Sequence, residues 1–183
     1  MGYDAACVFQ PPAHTRMNTS SRKPNQLSRT VAKLQGLPLI GHWAVSFALG
    51  RVVPFVGTSG LRYEEITSGC VVVRIRNQRK VQNHIKGVHA AAMALLAETA
   101  TGFCVGMNLP DDKLPLIKTM KIDYVRRSQG DMVAEASLRP EQIQQILSQD
   151  KGEVVVPVVI KDESGEQPIQ AEMTWAWVPK KRG

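Results

Sequence analysis

The spacing of apolar residues changes character three times along this chain. From Asn25 to Gln35, Leu27, Val31 and Leu34 fall on one helical face with basic residues elsewhere, which predicts an amphipathic helix ended by Gly36-Leu37-Pro38. Ile40 to Leu49 reads as a second, more apolar helix closed by Gly50. Together they predict a greasy, basic N-terminal helical arm over residues 22–58. Such an arm is either a lid packed on the domain or a surface that touches membrane or an acyl chain. Residues 1–21, with Pro11, Pro12 and a closing Thr/Ser cluster, read as a disordered leader, and Met17 offers an alternative start.

From Leu61 the period shortens. Leu61 to Thr67 and Cys70 to Asn77 read as two strands around a Ser68-Gly69 turn, with Val71, Val73 and Ile75 alternating against Val72, Arg74 and Arg76. Val88 to Phe103, rich in Ala and Leu, predicts the strongest helix of the chain. It is apolar on most sides and therefore buried. Strands follow at Leu114 to Arg127, Met132 to Leu138, Glu153 to Lys161 and Gln170 to Val178. A short helix from Pro140 to Gln149 intervenes, with Ile143, Ile146 and Leu147 on one face. Pro157, inside the Glu153–Lys161 strand, has no N–H for a ladder and must sit at an edge or a bulge. The order is that of an α+β domain over residues 59–183, a curled antiparallel sheet around one long buried helix. A sheet covered on one face and open at its edges favours pairing with a second copy.

Composition narrows the partners. Of the 183 residues 23 are basic and 16 acidic, a net charge of +7 that attracts anions: nucleic acid, acidic lipid or the phosphates of coenzyme A. No recognition-helix, zinc-finger or ribonucleoprotein pattern is present and aromatics are only 5%, so nucleic acid is not expected. The apolar stretch from Leu37 to Val56 is interrupted by Pro38, Gly41, His42, Gly50, Arg51 and Pro54 and falls short of a spanning helix. Cys7, Cys70 and Cys104 are widely spaced without a CxxC pair, so neither a disulfide framework nor a metal site is expected. Cys70 and Cys104, in apolar runs, read as core thiols, and the odd thiol count favours the cytoplasm.

One stretch carries chemistry. Asn83-His84-Ile85-Lys86-Gly87-Val88-His89-Ala90-Ala91 leads into the buried helix, and Glu98 follows nine residues after His89. Gly87 permits a tight turn or a close backbone approach. The first helical amides, near Ala90 and Ala91, lack intrahelical partners and favour developing negative charge. A thioester carbonyl becomes an oxyanion on hydrolysis and needs such donors. Glu98, among Ala94, Leu95, Ala97 and Thr99, is a carboxylate in apolar company, a setting that raises its pKa and suits a general base or nucleophile. Its alternative reading is a surface carboxylate paired with a cation.

The stretch Asn83–Gly102 resembles the helix motif of the hotdog-fold acyl-CoA thioesterases of the phenylacetyl-CoA and hydroxybenzoyl-CoA type. That motif is an Asn, six residues later a His with two Gly after it, and an acid nine residues after the His. The chain resembles most an uncharacterised bacterial hotdog branch, a domain-of-unknown-function family. The resemblance covers about residues 61–178. It implies a hotdog fold, a homodimer or dimer of dimers, and an acyl-CoA or acyl-carrier thioester as substrate, with no cofactor beyond the coenzyme A of that substrate. Glu98 would come from one subunit as base or nucleophile. Asn83, His89 and the Ala90 amide would come from the other as orienting groups and oxyanion donor. Ala90 and Ala91 depart from the two Gly, so a methyl group intrudes where the carbonyl approaches. The Ser or Thr of the following strand falls near apolar Ile117, with Thr119 close by. Arg126 and Arg127 could hold coenzyme A phosphates by charge-assisted hydrogen bonds, as could Arg79, Lys80 and Lys86; a plain solvated basic surface is the alternative. The competing readings are a non-catalytic acyl- or lipid-binding module and a hydroxyacyl-thioester dehydratase.

Overall fold

The structure, a computed structural model, describes residues 24–38 and 40–181; the expected leader over residues 1–21 lies outside them. Helix α1 spans Gln26–Gln35, capped by Asn25, whose side-chain oxygen accepts the Ser28 N–H at 2.8 Å. The Asn25 amide reaches across to the carbonyls of Gly106 and Leu109 and so ties the arm to the end of the central helix.

Helix α2 spans Gly41–Val52 and does not stop at Gly50. A third helix, α3 (Pro54–Ser59), was not expected from the pattern. Both differences have one cause. A Cβ on Gly57 would stand 2.5 Å from the Gly50 carbonyl oxygen, so these two glycines are the contact between α2 and α3 rather than a helix end. Pro54 then begins α3 in the first turn, where its missing N–H costs nothing.

Strands β1 (Arg62–Ile66) and β2 (Cys70–Ile75) form the expected antiparallel pair. The central helix α4 spans Ala90–Gly106 and is followed by β3 (Lys113–Tyr124), β4 (Met132–Ser137) and the short helix α5 (Pro140–Ser148). The segment expected as one strand from Glu153 to Lys161 is two, β5 (Gly152–Val156) and β6 (Val158–Asp162), with Pro157 between them. The hydrogen bonding accordingly forms a four-stranded sheet in the order β1-β2-β4-β6 and a three-stranded sheet in the order β3-β7-β5, where β7 is Ile169–Pro179. Pro157 is the corner at which the chain leaves one sheet for the other, and its carbonyl still accepts the Ser137 N–H at 3.1 Å.

Helix α4 is the axis around which both sheets close. Leu96, Ala97, Ala100, Cys104 and Val105 are fully buried. The small side chains let the sheet approach: a Cβ on Gly102 would lie 2.6 Å from the Trp175 ring, whose Nε1–H donates to Thr101 Oγ1 at 2.9 Å. Val31, Val45, Leu49 and Val56 of the arm belong to the same buried cluster as the sheet residues. Cys104 is a buried free thiol, and Cys70 is likewise buried in the core.

Candidate active site

The turn before α4 is organised by Asn83. Its Oδ1 accepts the N–H groups of Ile85 at 3.0 Å and Gly87 at 3.1 Å, while its backbone N–H donates to the Gly87 carbonyl at 2.9 Å. Two backbone donors fix which end of the side-chain amide is oxygen. The Asn83 Nδ2 is left without a hydrogen-bond partner among the described residues. The strain of the turn falls on Lys86, at φ +61°, and not on Gly87. Gly87 serves close approach: a Cβ there would stand 3.4 Å from Ser128 Oγ.

His89 is the N-cap of α4, and its Nδ1 accepts the Ala91 N–H at 3.0 Å. The neutral ring therefore carries its proton on Nε2. This corrects the expectation that both first amides stand open. Ala91 is capped, whereas the Ala90 N–H has no partner among the described residues. The Ala90 carbonyl accepts a hydrogen bond from Tyr124 Oη at 3.0 Å, which pins the start of α4 to β3.

Asn83, Gly87, Ala90, Arg126 and Arg127 line one cavity of about 600 Å³, together with Tyr124 and Ser128. His89 and Thr119 do not line it, nor does Glu98. Thr119 is exposed on β3, where the register with β7 shifts between Ile117 and Thr119, so simple alternation does not relate those two positions. Arg126 is held by a carboxylate: its Nη2 lies 2.9 Å from both oxygens of Asp162, whose side chain is fully buried. Burial pushes the Asp162 carboxyl up, but hydrogen bonds from Ser164 and the Gln129 amide, with the charge of Arg126, outweigh it and hold the group below its ordinary value. The charge expected to meet a phosphate is thus neutralised within the fold. Arg127, exposed at the same rim, makes no ion pair among the described residues.

Glu98 lies two turns further along α4, partly buried, and forms no ion pair among the described residues. Burial raises its pKa, against a weak opposing hydrogen bond from Thr99 Oγ1 at 3.5 Å. The reading in which a cation pairs with it is therefore not what the fold provides. Tyr63 on β1 stands near: burial raises its phenol, and the charge of Glu98 raises it further. The Tyr63 hydroxyl is buried without a partner, and its ring meets Phe103 edge-on at 5.0 Å. Sequence reasoning missed Tyr63, Tyr124 and Ser128. The available signal for Tyr63 was its place between Leu61 and Glu65 on the inward face of a strand, where a phenol oxygen has few partners.

Residues 41–178 match the family described as Domain of unknown function (DUF4442). The chain belongs to this family. Among solved structures, this DUF4442 chain is similar to a Pseudomonas aeruginosa protein of unknown function described as a probable thioesterase. The two are 26% identical over 74% of this chain and 93% of that one, with a TM-score of 0.68. A Haemophilus influenzae thioesterase shares the fold at 14% identity over 73% and 90% of the two chains, TM-score 0.60. A Bacillus halodurans protein solved with CoA is 25% identical over 58% and 66%, TM-score 0.50. No curated protein sequence matches this chain. The architecture is the hotdog fold that the Asn83–Gly102 motif implied.

Proposed function

We propose that this DUF4442 chain hydrolyses acyl-CoA or acyl-carrier thioesters at a site completed by two copies of the chain. One observation carries the reading. Ala90 and Asn83, which carry the open N–H and Nδ2 donors, line one cavity, whereas the carboxylate-bearing Glu98 is not among its lining residues. Within one chain the two halves do not meet. A second copy supplies the missing half if it packs along β3, the edge strand that pairs only with β7 and exposes Leu114, Leu116, Ile117 and Met120. The similarity to structures described as thioesterases, and to one solved with CoA, supports the same substrate class.

In that arrangement Glu98 takes a proton from water as the water oxygen bonds to the thioester carbonyl carbon. The carbonyl oxygen becomes an oxyanion facing the Ala90 N–H and the Asn83 amide, and His89 holds the neighbouring amide out of the way. Collapse breaks the carbon–sulfur bond, and the proton on Glu98 passes to the departing thiolate, leaving a free acid and a thiol. Arg127 stands at the cavity rim for a coenzyme A phosphate.

The test is thioester hydrolysis across acyl-CoAs of increasing chain length, with Glu98→Gln and Ala90→Pro assayed singly and mixed after co-refolding. Each variant alone is expected to be inactive. Mixed dimers hold one intact site each, so a statistical mixture regains about a quarter of wild-type activity. Two inactive variants that stay inactive when mixed would refute the shared site. Wild-type turnover in Glu98→Gln would remove Glu98 from the chemistry. Absence of turnover in the wild type with every substrate, alongside tight acyl-CoA binding, would leave the acyl-binding module.

A further inference from the structure

Helix α2 carries apolar side chains on its outer face as well as on its core face. Gly41, Val45 and Leu49 face the core, as they should, but the outward face carries Ile40, Trp43, Phe47 and Arg51. Trp43 is 60% exposed and Phe47 53%, and the two rings stack at 5.3 Å. Arg51 lies over the Phe47 ring at 5.8 Å. Val52 and Phe55, 75% and 61% exposed, extend the apolar surface onto the start of α3. Scattered exposed apolar residues need no explanation, but a continuous aromatic stripe on one helix does.

The charge around the stripe has one sign. Between Asp4 and Glu64 the chain carries no acidic residue at all. Beside the stripe lies a cleft of about 790 Å³, lined by Trp43 and Phe47 together with Arg62, Arg76 and Lys80. None of those three cations has an ion-pair partner among the described residues. Glu64, which also lines the cleft, is occupied by Arg74. Aromatic side chains beside unpaired cations match the interface of an anionic bilayer, with rings at the acyl boundary and cations at the phosphates. No helix among the described residues is long and apolar enough to cross a membrane, so the contact is one of lying on the surface.

We infer that the outward face of α2, with the start of α3 and the adjoining basic cleft, docks the protein on anionic phospholipid surfaces. The inference is independent of the catalytic reading. It also places an apolar face of the protein where acyl chains are.

The protein contains a reporter for this contact, because Trp175 and Trp177 are buried and Trp43 is the exposed tryptophan. Full-length protein is mixed with vesicles of phosphatidylcholine alone or of phosphatidylglycerol and phosphatidylcholine in equal parts, then sedimented, and its tryptophan emission is recorded. Binding to the anionic vesicles is expected, with a blue shift, and weakening as salt is raised. The double substitution Trp43→Ser with Phe47→Ser, both on the surface, should weaken sedimentation about tenfold or more while leaving the circular dichroism unchanged. Phe47→Ser alone keeps the reporter and should reduce the blue shift. Wild-type protein that stays in the supernatant with anionic vesicles would overturn the inference. So would a double variant that sediments as well as wild type, or an unmoved emission in sedimented protein. If the stripe instead seats a second copy, the double variant loses mass in light scattering and the wild type ignores vesicles, which also overturns it.

Discussion

Ala90→Pro tests the proposed chemistry with little disturbance of the fold. Ala90 is the first residue of α4, and its N–H has no partner among the described residues. Proline at this position removes a donor that the helix does not use and brings a φ suited to a helix start. The residue before a proline must be extended, and His89 already is, at φ −66° and ψ +143°. The Ala90 carbonyl keeps its hydrogen bond from Tyr124, and the cap from His89 to the Ala91 N–H lies outside the altered peptide. A compatible proline stabilises by about 0.4–1 kcal/mol through the unfolded chain, so the melting temperature should hold or rise slightly.

Activity should behave in the opposite way. Loss of one donor from an oxyanion site costs about 2.7–4 kcal/mol of transition-state stabilisation, or about a hundred- to a thousandfold in kcat. Ala90→Gly is the paired control. It keeps the N–H, removes the side-chain methyl group, and should match or exceed wild-type kcat. The assay is steady-state acyl-CoA hydrolysis with thermal unfolding of the same samples. A proline variant with wild-type kcat and an unchanged melting temperature would show that the Ala90 amide does not stabilise the transition state.

The remaining predictions concern charge. In the proposed reaction Glu98 acts ionised, and burial raises its pKa, so the acid limb of kcat/KM should have its midpoint above the ordinary carboxylate value of 4.5 and should be absent in Glu98→Gln. Because its folded-state pKa is raised, Glu98 favours the fold below its unfolded pKa and loses that contribution as pH rises through the folded value. Glu98→Gln should therefore melt higher than wild type at neutral pH, and a lower melting temperature would contradict the burial argument. Arg126→Ala strands the buried Asp162 carboxylate and should destabilise by about 3–5 kcal/mol in denaturant titration. Arg127→Ala should leave stability within about 0.5 kcal/mol and raise KM for coenzyme A substrates, and the reverse pattern would exchange the roles of the two arginines.

The parts of the fold that could be read from the chain are those where local pattern and tertiary demand agree. The Ala-rich stretch before Gly106 is buried because it is apolar on most sides and nothing on it is charged except Glu98, and the Asn25 cap with its Leu27–Leu34 face is a helix on any reading. The failures come where a residue answers to a distant neighbour. Gly50 looks like a helix end, but it is small because Gly57 presses on it from α3. Pro157 looks like an interruption in one strand, but it divides a segment between two sheets, and only the partners β4 and β7 reveal this. Arg126 looks as available to a phosphate as Arg127, and only Asp162, 36 residues later at the end of β6, tells them apart. The bulge between Ile117 and Thr119 likewise depends on β7 and leaves no mark in the alternation of β3.

The same distinction bears on the motif itself. Asn83, Gly87 and His89 resemble a set of catalytic residues, yet most of what they do in this chain is structural. Asn83 uses its oxygen to close the turn, Gly87 admits Ser128, and His89 caps Ala91. What these three leave open is small and specific: the Asn83 Nδ2 and the Ala90 N–H, both at the cavity that Arg127 borders. A turn that occupied both of the first two helix amides would have no donor left for an oxyanion, and one that capped neither would offer an ill-positioned pair. By occupying Ala91 alone, His89 selects the amide that remains. Its place outside the cavity is therefore consistent with a role in the reaction exerted through Ala90. In the proposed reaction Glu98, on a later turn of α4, acts on a carbonyl held there across a boundary between two chains, and its apolar surroundings, with no ion pair among the described residues, suit that role.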